Sequence, residues 1–179
     1  VAIALHEQIA LMHVRVEETL GDRLAQEGVD QPPGEQGKVV TCGAQGIDDG
    51  LLATFAREAE DLPAPLGEAF EAVRALLGAP FNRVGLNLYR DGNDSVALHG
   101  DKTEKLLPGQ PIAIVSLGAC RRMSIRPKAG SGRIVHVQLE PGSCIVMSYA
   151  SQFTHEHGIP KLAGVTEPRI SLAFRCYAG

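Results

Sequence analysis

Aromatic side chains are scarce in this chain. They make up 4% of its 179 residues, tryptophan is absent, and none occurs before Phe55. Cysteine is thin as well. Cys42, Cys120, Cys144 and Cys176 stand alone, with no C-x-x-C pair. In a domain of ordinary size this argues against a disulfide framework and for reduced, mostly buried thiols in a cytoplasmic protein. No apolar run approaches the ~18 residues of a membrane-spanning helix, so no membrane association is expected. The opening VAIAL is followed at once by His6 and Glu7, which is not a secretory signal. The first residue is Val rather than Met, consistent with a truncated start. The net charge of -4 gives no general affinity for polyanions. Internal repeats and low-complexity tracts are absent.

What is present suits one globular domain over 1–179, expected as a monomer: 44% of residues are hydrophobic and 21% charged. Ile3, Leu5, Ile9, Leu11, Met12, Val16 and Leu20 form a roughly helical stripe over residues 2–20. GVDQPPGEQG (28–37) is a loop, and KVVTC (38–42) a strand. GLLATFAREAE (50–60) and PLGEAFEAVRALLG (65–78) have the apolar spacing of helices, the second ending on Gly78. After Pro80 the character changes to short β-rich runs separated by turn residues: FNRVGLNLY, PIAIVSLG, RRMSIRP, RIVHVQLE, SCIVMSYA and PRISLAFRCY. AGSG (129–132) reads as the turn of a hairpin. The expected class is α+β, mainly β: a sandwich or jelly roll in 80–179 backed by helices from 1–79.

Two patterns carry chemistry. In DSVALHGDKTE (94–104), one residue separates His99 from Asp101 just after a short strand, so both side chains can turn to one side. An Fe(II) oxygenase site needs two His and one carboxylate, with the opposite face open for co-substrate and O2. The third ligand would come from SQFTHEHGIPK (151–161), which offers His155 and His157. In the last strand, Arg169, Ser171, Ala173 and Arg175 share one face, and Ile170, Leu172 and Phe174 the other. Two arginines on one strand face suit an anion pocket, because guanidinium groups clamp carboxylates through paired hydrogen bonds. Asn87 and Tyr89 share a face of an earlier strand and could serve the same anion. A third pattern, CRRMSIRPKAGSGR (120–133), holds Arg121, Arg122, Arg126, Lys128 and Arg133 with no acid among them. As a hairpin it would form a basic surface for phosphates.

H-G-D at 99–101, H-G-I-P at 157–160, R-I-S-L-A-F-R at 169–175, N-L-Y-R-D-G at 87–92 and S-L-G-A-C-R-R at 116–122 together resemble the AlkB family of Fe(II)/2-oxoglutarate-dependent dioxygenases. The resemblance covers roughly residues 80–177. It implies a double-stranded β-helix, with Fe(II), 2-oxoglutarate and O2 as cofactor and co-substrates. It implies His99, Asp101 and His157 as iron ligands, with His157 preferred over His155 by its place before G-I. Arg169 would hold the far carboxylate of 2-oxoglutarate with Tyr89. Asn87 would contact the chelating end, and Arg175 would lie against the co-substrate or Asp101. Ser171 stands where the family pattern has Asn.

The implied activity is oxidative dealkylation of N-alkylated nucleobases in DNA or RNA, with release of an aldehyde. The target base would be single-stranded or flipped from the stack. Thr103 and Glu104 lie where family members place an acidic base reader, and Arg121 and Arg122 would contact the nucleic acid. Residues 1–79 would supply a substrate lid. KVVTCGAQGIDDG (38–50) occupies that place without an aromatic, so His99 could offer one face to the base. That departure keeps a second reading open, the same chemistry on a small molecule or a protein side chain. A third is a binding module that has kept the fold without catalysis.

Overall fold

The structure is a computed structural model. It describes residues 62, 64–129 and 132–179, together with the backbone of three earlier strands. Those strands are β1 (Ala2–His6), β2 (Ile9–His13) and β3 (Thr54–Glu58). The later strands are β4 (Arg83–Tyr89), β5 (Val96–His99), β6 (Ile112–Gly118), β7 (Arg121–Pro127), β8 (Val135–Leu139), β9 (Ser143–Met147), β10 (His155–Ile159) and β11 (Arg169–Arg175). The helices are α1 (Ala64–Leu77) and the single turn α2 (Ser151–Thr154).

Among the described residues the strands form two antiparallel sheets. One has seven strands in the order β1-β2-β9-β6-β11-β4-β3, the other four in the order β5-β10-β7-β8. Consecutive strands repeatedly cross between the sheets, as the expected double-stranded β-helix requires. The alternation read from PRISLAFRCY sets up both layers of the core. Leu172 and Phe174 of β11, with Val84, Ala113 and Val115, pack against Leu66, Phe70 and Val73 of α1. Ala173 faces the other way, into a second cluster with Tyr89, Ile112, Ile114, Met123, Ile125, Ile145 and Ile159 between the sheets. The arginines of β11 therefore point into the sandwich, beside the apolar filling and away from α1. Helix α1 ends as its sequence predicts. Gly78 takes φ 60, and its N–H donates to the Arg74 carbonyl at 2.9 Å.

Two expectations need correction. The apolar stripe of residues 2–20 contains two strands, Ala2–His6 and Ile9–His13, where a helix was expected. β2 pairs with β9 from Ile9↔Met147 to His13↔Ser143. Ile3/Leu5 and Ile9/Leu11 also fit a period of two, and pairing along β9 outweighs helical propensity. GLLATFAREAE contains β3, paired with β4 from Thr54↔Asn87 to Glu58↔Arg83. Its Ala- and Glu-rich residues favour helix, but β4 offers an open edge whose N–H and C=O groups need partners. The run expected to bring in the third ligand, SQFTHEHGIPK, does carry a strand, β10. The lid segment 38–50, with the strand expected at 38–42, lies outside the described residues, as does the centre of the 129–132 turn.

Candidate active site

The site is built where β5 and β10 run side by side. His157 is the register partner of His99, and the two ring centroids are 4.6 Å apart. Asp101 follows β5 directly. One ligand atom from each of His99, Asp101 and His157 lies within 4.8 Å of the others. Two imidazole nitrogens and one carboxylate oxygen at such spacing fit the facial set that suits non-haem Fe(II). Both motif glycines have steric reasons. A Cβ on Gly158 would lie 2.7 Å from the Val96 carbonyl oxygen, and one on Gly100 would lie 2.9 Å from that of Gln152. Glycine at these positions lets the two ligand-bearing segments approach.

Neighbouring groups orient each ligand. His99 Nδ1 is 2.9 Å from the Ala97 carbonyl oxygen. A carbonyl only accepts, so Nδ1 carries the proton and the Nε2 lone pair is left for a metal. Arg175 Nε donates to Asp101 Oδ2 at 2.7 Å. The Asp101 backbone N–H donates to Oε1 of the buried Gln152 at 3.0 Å. Burial works to raise the Asp101 carboxyl. The charge and hydrogen bond of Arg175, with the two imidazoles, outweigh it and bring the pKa down to about 2. Burial lowers His157 against the pull of Asp101, to about 4. Both groups are thus in their metal-binding forms at neutral pH.

The His157 shift has a consequence for the metal-free chain. Unfolded, this imidazole takes a proton near its ordinary 6.5; folded, only near 4. Its contribution is complete above pH 6.5 and is lost as pH falls toward 4, on the order of 3 kcal/mol across the window. Urea unfolding at a series of pH values checks this, and a midpoint that stays level between pH 6.5 and 4 contradicts it.

A second polar cluster lies along the inner face of the seven-stranded sheet. Arg169 is register partner to both Tyr89 and Gly118, and Ser171 to Asn87 and Ser116. Arg169 is 1% exposed, and its guanidinium lies over the Tyr89 ring at 4.9 Å. One nitrogen, Nη2, donates to Ser116 Oγ at 2.8 Å. Its Nε and Nη1 are buried without a partner. A buried cation with unfilled donors lacks its anion, and a carboxylate would fill the gap. Burial lowers the Arg169 pKa, with Tyr89 opposing, and burial raises that of Tyr89. Asn87 Nδ2 donates to Ser171 Oγ at 3.3 Å. Arg175, two residues beyond Ala173 on the same face, reaches the Asp101 carboxylate. The one strand β11 thus serves both clusters.

The basic run keeps Arg126, Lys128 and Arg133 exposed and Arg122 partly so, but not Arg121. Arg121 is 1% exposed and donates to the backbone carbonyls of Asp91, Asp94 and Pro160 at 2.8, 2.7 and 3.0 Å. This overturns its assignment to nucleic-acid contact, because on β7 its side chain points into the sandwich. Arg126 pairs with Glu156 at 2.5 Å, and Lys128 donates to the Gln152 carbonyl at 2.6 Å. Arg122 is partly exposed. Thr103 is half-buried and Glu104 exposed, in the turn after Asp101. His155 is half-buried, with Nδ1 2.9 Å from Thr154 Oγ1, and is not in the ligand cluster.

Sequence reasoning missed Gln152 and Ser116. Gln152 is one polar residue of SQFTHEHGIPK, and nothing in that run signals its burial. Ser116 had a signal: it is the one hydroxyl in the apolar strand PIAIVSLG.

Comparison with known proteins agrees with this geometry. The 2OG-Fe(II) oxygenase superfamily matches residues 44–175. The chain is 34% identical over 139 residues to the human DNA oxidative demethylase ALKBH2, covering 72% of this chain and 53% of that protein. It is 35% identical over 106 residues to the human alpha-ketoglutarate-dependent dioxygenase alkB homolog 3, covering 55% of this chain and 37% of that protein. The chain thus spans about half or less of the length of these relatives. The solved structure of OsALKBH1 shares the fold, with TM-score 0.63 at 17% identity over 98% of this chain and 100% of that one. With the double-stranded β-helix, the His-Asp-His cluster and the arginine strand already in place, the chain belongs to the AlkB family within the 2OG-Fe(II) oxygenase superfamily, whose chemistry uses Fe(II), 2-oxoglutarate and O2.

Proposed function

We propose that this chain is an Fe(II)- and 2-oxoglutarate-dependent dioxygenase that removes N-alkyl groups from nucleobases in DNA or RNA. The observation that carries the reading is that one strand, β11, reaches both polar clusters. The His99, Asp101 and His157 ligand atoms lie within 4.8 Å of one another, and the same β11 face holds Arg169 with two buried nitrogens unfilled. His99, Asp101 and His157 hold the iron. Arg169 receives the far carboxylate of 2-oxoglutarate, with Tyr89 and Ser116 fixing the guanidinium. Asn87 and Ser171 present neutral hydrogen-bonding groups to the other end of the co-substrate. Arg175 keeps Asp101 ionised and turned toward the metal. When bound, iron, O2 and 2-oxoglutarate supply the oxidant that hydroxylates the alkyl carbon, with succinate and CO2 as co-products, and the hydroxylated product falls apart to an aldehyde and the free base nitrogen. The protein's share is placement and electrostatics.

The nucleic-acid substrate is supported by the human relative named as a DNA oxidative demethylase. The base is single-stranded or flipped when it reaches the iron. Thr103 and Glu104, in the turn after Asp101, are the proposed base contacts, and Arg122 is a proposed backbone contact. The protein acts as a monomer in the cytoplasm, with 1–79 as support and lid and 80–179 as the core. Among the described residues no helix is long and apolar enough to cross a membrane, and Cys120, Cys144 and Cys176 are free thiols. The absence of any aromatic before Phe55 favours a second reading, a small molecule or protein side chain as target.

Succinate and formaldehyde release, measured with a panel of methylated oligonucleotides, separates the two. Turnover stimulated by methylated single strands but not by free nucleosides or peptides is expected. Iron- and 2-oxoglutarate-dependent turnover indifferent to nucleic acid supports the second reading instead.

A further inference from the structure

Arg121 is a buried arginine that the iron site and the Arg169 clamp leave unexplained. It lies on β7, in the four-stranded sheet, and is 1% exposed. Across the sandwich its guanidinium lies over the Tyr89 ring at 5.4 Å, the same ring that Arg169 covers at 4.9 Å. Two buried guanidiniums therefore share one phenol. Arg121 is fixed by three backbone carbonyls rather than by a carboxylate. Asp94, the acid beside it, is engaged by Arg90 through both carboxylate oxygens. Among the described residues no carboxylate is paired to either guanidinium.

The carbonyls that Arg121 joins are also informative. Asp91 and Asp94 belong to the connection from β4 into β5, which leads to His99 and Asp101. Pro160 directly follows β10, which carries His157. The side chain ties the far ends of both ligand-bearing strands to the ring behind which the diacid would sit.

We infer that Arg121 is a positioning residue for the distal carboxylate of the co-substrate, acting through Tyr89. It holds the ring against Arg169, so that the clamp is set before the diacid arrives. It adds a second positive charge beside Tyr89 that raises the preference for a ligand ending in a carboxylate. This rests on the dioxygenase reading above and extends it to a residue that touches neither the metal nor, by its carbonyl bonds, the ligand.

The test is anaerobic calorimetry of 2-oxoglutarate binding to Mn(II)-loaded protein, with thermal unfolding in parallel. Arg121→Gln should raise the 2-oxoglutarate Kd about 10-fold, the scale of one desolvated cation–ring contact. Arg121→Lys, which keeps the charge, should recover part of that loss. Mn(II) affinity without co-substrate should stay within about 2-fold of the parent. A lowered melting temperature with unchanged 2-oxoglutarate affinity would make Arg121 a structural bolt alone and overturn the inference. Should neither variant fold, Tyr89 carries the test. Tyr89→Leu, which removes the shared ring, should lose clearly more affinity than Tyr89→Phe, and equal losses overturn the inference. Failure of the unsubstituted protein to bind 2-oxoglutarate at all overturns the dioxygenase reading, and the role of Arg121 with it.

Discussion

Replacing Asp101 with alanine abolishes turnover and weakens metal binding by at least about 100-fold, the upper end of what losing even an outer partner of a metal ligand costs. Asp101 supplies the one negative ligand among three, and the two imidazoles alone offer no charge neutralisation. The substitution also strips Arg175 of its carboxylate at 2.7 Å. Removing one partner of a fully buried ion pair costs about 3–5 kcal/mol. Arg175 is 22% exposed, so water takes up part of its charge. The loss of stability is therefore smaller, about 1–2 kcal/mol once screening is allowed for. Asp101→Asn separates the two effects. It retains the shape and the backbone N–H bond to Gln152, but loses the charge that Fe(II) and Arg175 both require. Metal titration and chemical unfolding of the two variants measure this. An Asp101→Ala protein that still binds one iron tightly would remove Asp101 from the ligand set.

Arg169→Met has the opposite signature. Co-substrate affinity falls by roughly 30- to 4000-fold, from the 2–5 kcal/mol that truncating one side of a buried, hydrogen-bonded charge pair costs. Without co-substrate, however, the melting temperature holds or rises. In the unliganded chain Arg169 has two buried nitrogens without partners, and each such group is a desolvation cost that methionine does not carry. Against this stand the loss of the bond to Ser116 and of the contact with the Tyr89 ring. The 2-oxoglutarate-induced rise in melting temperature, which follows from preferential binding to the folded state, disappears in the variant. A thermal-shift series with and without 2-oxoglutarate distinguishes this from general damage. A variant that melts lower in the apo state yet keeps its 2-oxoglutarate shift contradicts the assignment.

Both variants act on side chains that the sequence exposed through periodicity. In RISLAFR, Arg169, Ser171, Ala173 and Arg175 alternate with Ile170, Leu172 and Phe174, a two-faced strand, and β11 keeps that alternation. The H-G-D and H-G-I segments were legible through their resemblance to the AlkB pattern, and the structure adds that a Cβ on either glycine would crowd a neighbouring backbone carbonyl. Arg121 and Gln152 were not, since burial of a polar side chain depends on partners far along the chain. Arg121 bonds carbonyls 27–39 residues away, and Gln152 a backbone N–H 51 residues away. A charge run such as RRMSIRPK looks solvated until the strand alternation places Arg121 inward. The N-terminal strands were misread for a related reason. TFARE is helix-prone on its own terms, and only the open edge of β4 makes it a strand.

The most direct test of the proposed site is an anaerobic titration of Fe(II) followed by 2-oxoglutarate, run on the parent chain and on His157→Ala. The parent should bind one Fe(II) per chain and then one 2-oxoglutarate, each tightening the other, and the variant should lose the first and with it most of the second. Equal iron binding by the two proteins, or 2-oxoglutarate binding that ignores the metal, would contradict a single site held between β10 and β11.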